Sequence, residues 1–183
     1  MAGRLPSWTV ASDARRAHMR RVAHLLDEWA AGLGLEDAER MRWRGAACLH
    51  DSLRDEDPEA LRPRVPPDLA PLPGPLLHGP AAAERLRIEG VVDGELLLAI
   101  AFHTVGDPRL GLMGRLLYAA DFLEPGRPFL SEWRAGLRAR MPGELDDVVF
   151  TIVRARIVNL LERGTTILPR TTAFWNALVE ERS

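Results

Sequence analysis

A set of histidines and aspartates stands out by type and setting: His18, the pair His50-Asp51, His78, His103 and Asp121. His18 lies one helical turn before Val22 and two before Leu25, so it shares their apolar face. His24, six positions on, is rotated about 120° away by the 3.6-residue period and is expected at the surface. His50-Asp51 follows the apolar run 46–49, His78 precedes a helix start at Pro80, and His103 ends an apolar helix. A single histidine on an apolar face is ordinarily a hydrogen-bonded core residue. Asp121, between Ala120 and Phe122, is different, because burying an unpaired carboxylate costs several kcal/mol. It needs a cation, a set of donors or water. Together, imidazoles and carboxylates suit iron, manganese, zinc or a related divalent ion.

The elements that must position these residues are helical. Apolar residues recur at helical spacing over 12–29 and 36–53, and Gly32 and Gly34 supply a stop between them. Residues 58–75 carry seven prolines, which predicts a loop with one short turn at 57–61. Further helices are predicted over 79–90, 95–104 with Asp93 as N-cap, 112–123, 129–141, 145–163 and 170–181. No stretch alternates as a strand should. The expected fold class is all-α, about seven or eight helices in one domain. Its core spans about 12–128, and the C-terminal helices about 129–181 complete that core or form a homodimer face.

Composition narrows the chemistry further. The 183 residues, 46% hydrophobic and 27% charged, suit a globular protein burying roughly 70% of its surface. A net charge of -2 with no basic stripe argues against a nucleic-acid partner. No apolar run is long enough for a membrane span, and MAGRLPSWTV lacks the pattern of a signal peptide. The lone Cys48 forms no internal disulfide and no cysteine-based zinc site, which suits a cytoplasmic location. All 24 basic residues are arginine, so a Walker A loop and a Schiff-base lysine are excluded.

The ordered set His18, His50-Asp51, His78, His103 and Asp121 resembles the HD-domain metal-dependent phosphohydrolases in their two-metal version. Local wording is similar to the YqeK branch: R-x-x-H at 15–18, LHDSLR at 49–54, LLHGPAAA at 76–83, AIAFHTVG at 99–106, YAADFLEPGR at 118–127 and ILPRTTAFWNAL at 167–178. That branch comprises symmetrical bis(5'-nucleosyl)-tetraphosphatases, which split diadenosine tetraphosphate into two ADP. The resemblance implies an HD-type helical fold holding two divalent transition metals, iron foremost, with manganese, cobalt or zinc as alternatives. His18, His50, Asp51 and Asp121 would hold one ion and His78 and His103 the other, with Asp51 bridging. A hydroxide between the metals would attack phosphorus in line. Arg54 and Arg127 would act beside Asp51 in catalysis, and Arg54, Thr104 and Arg127 would contact a nucleotide substrate.

Each supporting role has a plainer counterpart. Arg54 stands where the family usually has Lys, and at a helix end it can serve the helix dipole alone. Thr104 can bond its own helix, Arg127 can be a turn residue, and Glu124 can be a ligand's partner or a solvated helix end. Arg170 and Asn176 suit packing and capping. Competing functions are hydrolysis of another nucleotide (a monophosphate, triphosphate or alarmone) and a non-catalytic nucleotide-sensing module. The Pro-rich segment departs from the family pattern and leaves that wall undefined.

Overall fold

The computed structural model describes residues 5–182. Among these, the regular elements are helices and no strand occurs. They are α1 (Asp13–Gly32), α2 (Asp37–Leu49), the single turn α3 (Pro58–Leu61), α4 (His78–Ile88), α5 (Gly94–Phe102), α6 (Leu112–Leu123), α7 (Ser131–Ala139), α8 (Leu145–Glu162) and α9 (Pro169–Glu180). The Pro-rich stretch adds two 3-10 turns, Arg62–Arg64 and Gly74–Leu76, in keeping with proline's fixed φ. None of the described helices is long and apolar enough to cross a membrane.

Helix α6 is the hub. Its sequence LMGRLLYAADFL is apolar almost all round, and such a helix must be enclosed on every side. It packs against α1, α2, α5, α7 and α8, while α1 pairs with α2 and α4 with α5. Asp121 sits on this enclosed helix, 6% exposed. The caps follow local chemistry. Ser12 accepts from Arg15 N at the start of α1, and Asp93 accepts from Leu96 N at the start of α5.

Among the boundaries that differ from the periodicity, two have a clear local cause. The apolar pattern predicts a helix to residue 53, but α2 ends at Leu49. Here His50 Nδ1 donates to Ala47 O at 2.7 Å and Ser52 Oγ to Leu49 O at 2.8 Å. These side chains take carbonyls that a continuing helix would use for its own N–H groups. The next residues turn instead, and Ser52 O receives Val10 N at 2.8 Å. In the second case, α7 starts at Ser131 because Leu130 adopts the left-handed region at φ 51.

The C-terminal tail docks behind α5. Asp107, fully buried, accepts from Arg109 and Arg170, and Thr171 Oγ1 donates to Val105 O at 2.9 Å. Gly106 has φ 76, and a Cβ there would lie 2.1 Å from the Phe174 ring, so this turn demands glycine on both counts. Arg170 packs over the Phe102 ring at 4.1 Å, which gives it the packing role expected for the tail.

Candidate metal centre

Six side chains from five places in the sequence converge at the base of α6. His18 comes from α1, His50 and Asp51 from the turn after α2, His78 from the first residue of α4, His103 from the end of α5 and Asp121 from α6. All are buried, none more than 6% exposed. Their heads form two sets around one carboxylate. Asp51 Oδ2 lies 3.5 Å from both His18 Nε2 and His50 Nε2, and Asp121 Oδ1 lies 3.1 Å from His18 Nε2. Asp51 Oδ1 lies 3.1 Å from His78 Nε2 and 3.4 Å from His103 Nε2.

The imidazoles are oriented for ligation. Each Nδ1 has an acceptor: Glu124 Oε1 for His18 at 3.2 Å, Ala47 O for His50 at 2.7 Å, Pro75 O for His78 at 2.9 Å and Ile100 O for His103 at 2.8 Å. With the proton on Nδ1, the Nε2 lone pair is free and faces the centre. Within each set the two Nε2 atoms approach to 3.3 Å (His18, His50) and 3.1 Å (His78, His103), and in the neutral Nδ1–H rings neither carries a proton. Adjacent donors around one ion, each about 2.1 Å from it, lie about 3 Å apart. These buried clusters therefore fit a divalent metal site.

Charge tells the same story. Burial alone would raise the Asp51 and Asp121 carboxyls, yet His50, His103 and His78 hold the first, and His18 and Arg127 the second, below the usual carboxylate range. Burial alone would lower His18, but Asp121, Glu124 and Asp51 outweigh it and raise its pKa. The cluster attracts positive charge, by proton where no ion is bound. His78 moves the other way, because burial outweighs Asp51 and keeps its ring neutral.

Around these six lies a ring of arginines and one carboxylate. Arg15 Nη1 donates to Asp51 Oδ2 at 2.6 Å, and Arg127 Nη2 to Asp121 Oδ1 at 2.8 Å. Glu124, buried, accepts from His18, Arg21 Nε at 2.5 Å and Gly126 N at 2.7 Å. Against the upward push of burial, these donors lower its pKa to about 2. Arg156 reaches from α8 to Thr104 O and lies 3.6 Å from Asp121 Oδ2. Arg54 has no side-chain hydrogen bond or ion pair among the described residues, and its charge depresses the His78 pKa. The Thr104 hydroxyl makes no bond to its own helix, and Thr104 lines a cavity of about 780 Å³ beside the centre. His24 is exposed on the far side of α1.

Nothing local in the sequence marks Arg21, Arg134 or Arg156 for this region. They arrive by packing, from one turn past His18 and from helices α7 and α8. Glu124 carries a usable signal, three residues after Asp121 on the same helix end.

The chain is similar over most of its length to three curated proteins, each named a symmetrical bis(5'-nucleosyl)-tetraphosphatase. It is 29% identical to that of Halalkalibacterium halodurans, with 81% of each chain covered. Identity is 28% to that of Staphylococcus aureus, covering 87% of this chain and 84% of the relative. For Bacillus subtilis the figures are 29%, 92% and 91%. A crystal structure from Clostridium acetobutylicum, described as a predicted HD superfamily hydrolase involved in NAD metabolism, superposes with a TM-score of 0.82. It is 23% identical, with 93% of this chain and 91% of that one covered. The two chains share one fold. No family model matches the sequence.

Proposed function

We propose that this HD-type enzyme hydrolyses dinucleoside polyphosphates, splitting diadenosine tetraphosphate symmetrically into two ADP. The observation that carries this reading is the two-faced Asp51, whose oxygens each meet their own pair of imidazoles. The three relatives named for that activity, each matching most of this chain, support the substrate class.

In this reading His18, His50, Asp51 and Asp121 hold one divalent ion and His78 and His103 the other, with Asp51 shared. The mixed imidazole and carboxylate donors suit iron, manganese, cobalt or zinc, and the family resemblance puts iron first. When bound, such a pair supplies an acidified water and neutralises phosphate charge. The chain's own residues do the rest. Arg54, free of any protein partner and close enough to act on His78, grips phosphate oxygens on that side. Arg127, half-exposed and anchored on Asp121, places its remaining donors at the mouth. Thr104 offers an unpaired hydroxyl to a phosphate oxygen. Arg54→Ala should slow turnover at least about tenfold with little change in folding stability, and Arg54→Lys should restore much of it.

The test is the product pattern. Chromatography at an early time point should show ADP alone from diadenosine tetraphosphate, with two metals per chain by elemental analysis. Equal ATP and AMP would reject the symmetrical cleavage. Fast hydrolysis of a mononucleotide with no turnover of any dinucleotide would select a different nucleotide substrate.

A further inference from the structure

Glu124 closes α6 and turns its carboxylate inward, where it is almost fully buried behind His18. Oε1 accepts from His18 Nδ1 at 3.2 Å, and Oε2 accepts from Gly126 N at 2.7 Å. Those two bonds leave the plane of the carboxylate loosely set, because the last torsion of a glutamate has broad minima. Arg21, one turn past His18 on α1, removes that freedom. Its Nε donates to Oε2 at 2.5 Å and its Nη2 to Oε1 at 3.3 Å, so a planar fork meets both oxygens of a planar acceptor.

The chain makes room for that fork. Gly126 is the third residue of the turn after α6, which Arg127 N closes on Glu124 O at 3.4 Å. Its φ lies outside the left-handed region, so the turn itself accepts most residues there. Arg21 is what excludes them: a Cβ at Gly126 would run into Cζ, Nε and Nη2 of the guanidinium. A large side chain on α1 and a missing one after α6 therefore form a fitted pair. Charge alone asks for no such fit, since Arg127 Nε, 3.9 Å from Oε1, already brings a cation to Glu124.

We propose that Arg21 is a positioning residue: seated against Gly126 and acting through Glu124, it fixes the His18 imidazole for the ion that His18 helps to hold. The inference rests on the metal centre read above. A neutral imidazole ligates only through the nitrogen opposite its N–H, so a Glu124 that tilts takes the His18 ring with it. Arg21 acts on that ion in two ways of opposite sign. As a charge it repels the ion, and its removal would tighten binding. As a clamp it holds the ligand in place, and its removal would loosen binding. Its side chain is 37% exposed, which screens the repulsion, while the carboxylate it clamps is buried. The clamp wins.

Competition of the zinc-loaded protein against a graded chelator tests it; zinc is diamagnetic and suits these donors. Arg21→Ala should weaken one ion about tenfold or more and leave the other unchanged. Gly126→Ala, which keeps the arginine but pushes its guanidinium aside, should match that loss, and it removes no buried partner that folding needs. Arg21→Lys, which keeps the charge without the fork, should recover little. In the double variant the added methyl has nothing left to displace, so its loss should equal that of Arg21→Ala alone. Magnetic resonance of histidine-labelled zinc protein adds a readout that a merely structural arginine would not move. The His18 Nδ1 proton should exchange with water faster in both single variants. Unchanged or tighter zinc in Arg21→Ala, or a loss that Arg21→Lys restores, overturns the clamp. A Gly126→Ala loss that persists in full on top of Arg21→Ala overturns the fitted pair. Wild-type protein that takes up no zinc overturns the metal centre itself, whereas two ions held equally by every variant overturn only the role of Arg21.

Discussion

The two halves of the candidate metal centre are built by different means. Around His18 and Asp121 the supports are charged side chains: Glu124 behind His18, Arg21 behind Glu124, and Arg127 and Arg156 on Asp121. Behind His78 and His103 the supports are backbone carbonyls of Pro75 and Ile100. The carbonyl three residues back orients each ring, so helix ends alone set that half. His50 shares the second device, with Ala47 O, although it faces the first half. The charged half can be adjusted by single side-chain changes at a distance from the metal. The backbone half can be disturbed only by moving helices.

Asp51 belongs to both halves, and its loss should have the largest effect. Asp51→Ala should remove both ions and lower activity about a thousandfold or more, as for removing one member of a unit that acts together. Elemental analysis showing one full equivalent of metal in this variant would mean that the halves are independent.

Glu124→Gln probes the charged half. The amide keeps an acceptor for His18 but loses the charge, and metal affinity there should fall roughly 10- to 100-fold. Titration with a chelator should then strip one ion well before the other. Simultaneous loss of both would erase the distinction between the halves.

Gly79→Ala probes the backbone half. A Cβ at Gly79 would lie 2.8 Å from the carbonyl oxygens of Ile100 and Ala101, where α4 crosses the end of α5. The helices must part, at a cost of about 1–3 kcal/mol, and His78 must move from His103. A thermal midpoint several degrees lower, with one ion lost, is expected; a variant with wild-type midpoint and two ions would show that this crossing tolerates displacement.

The smallest effect should come from Asp107, a charge on the backbone side that serves stability alone. Burial raises its carboxyl, but Arg109 and Arg170 outweigh that and hold it below the usual value. A depressed carboxyl contributes stability above its unfolded pKa of about 3.9, and the contribution disappears as pH falls through the lower folded value. Asp107→Asn should cost roughly 1–3 kcal/mol near neutrality, shrinking below about pH 4, with metal content unchanged. Thermal melts from pH 7 to pH 3 measure it, and a pH-independent difference would assign the loss to packing.

The helices were legible in the sequence wherever apolar residues recur at short range. Helix α6 matches its predicted bounds, Leu112–Leu123, because Gly111 and Pro125 bracket an unbroken run. The end of α2 was not legible, since side-chain bonds from His50 and Ser52 compete with a periodicity that continues through Leu53. The six converging residues were readable through the resemblance to the HD-domain phosphohydrolases, and Asp121 also because a carboxylate in an apolar helical run demands a partner. Arg134 was not, since nothing in SEWRAGLRA tells a solvated arginine from a buried one.

By itself, then, the sequence determined an all-helical chain carrying six histidines and aspartates of metal-binding type in a recognisable order. Periodicity and chain breaks are local properties, and a residue's chemistry travels with its type. Only the tertiary structure decided that Asp51 faces two ways, that Gly79 must lack a side chain, and that Arg134 is buried against Phe122 beside a cavity. Those facts depend on segments far apart in the chain meeting within a few ångströms. Packing sets that distance, and no short-range pattern encodes it.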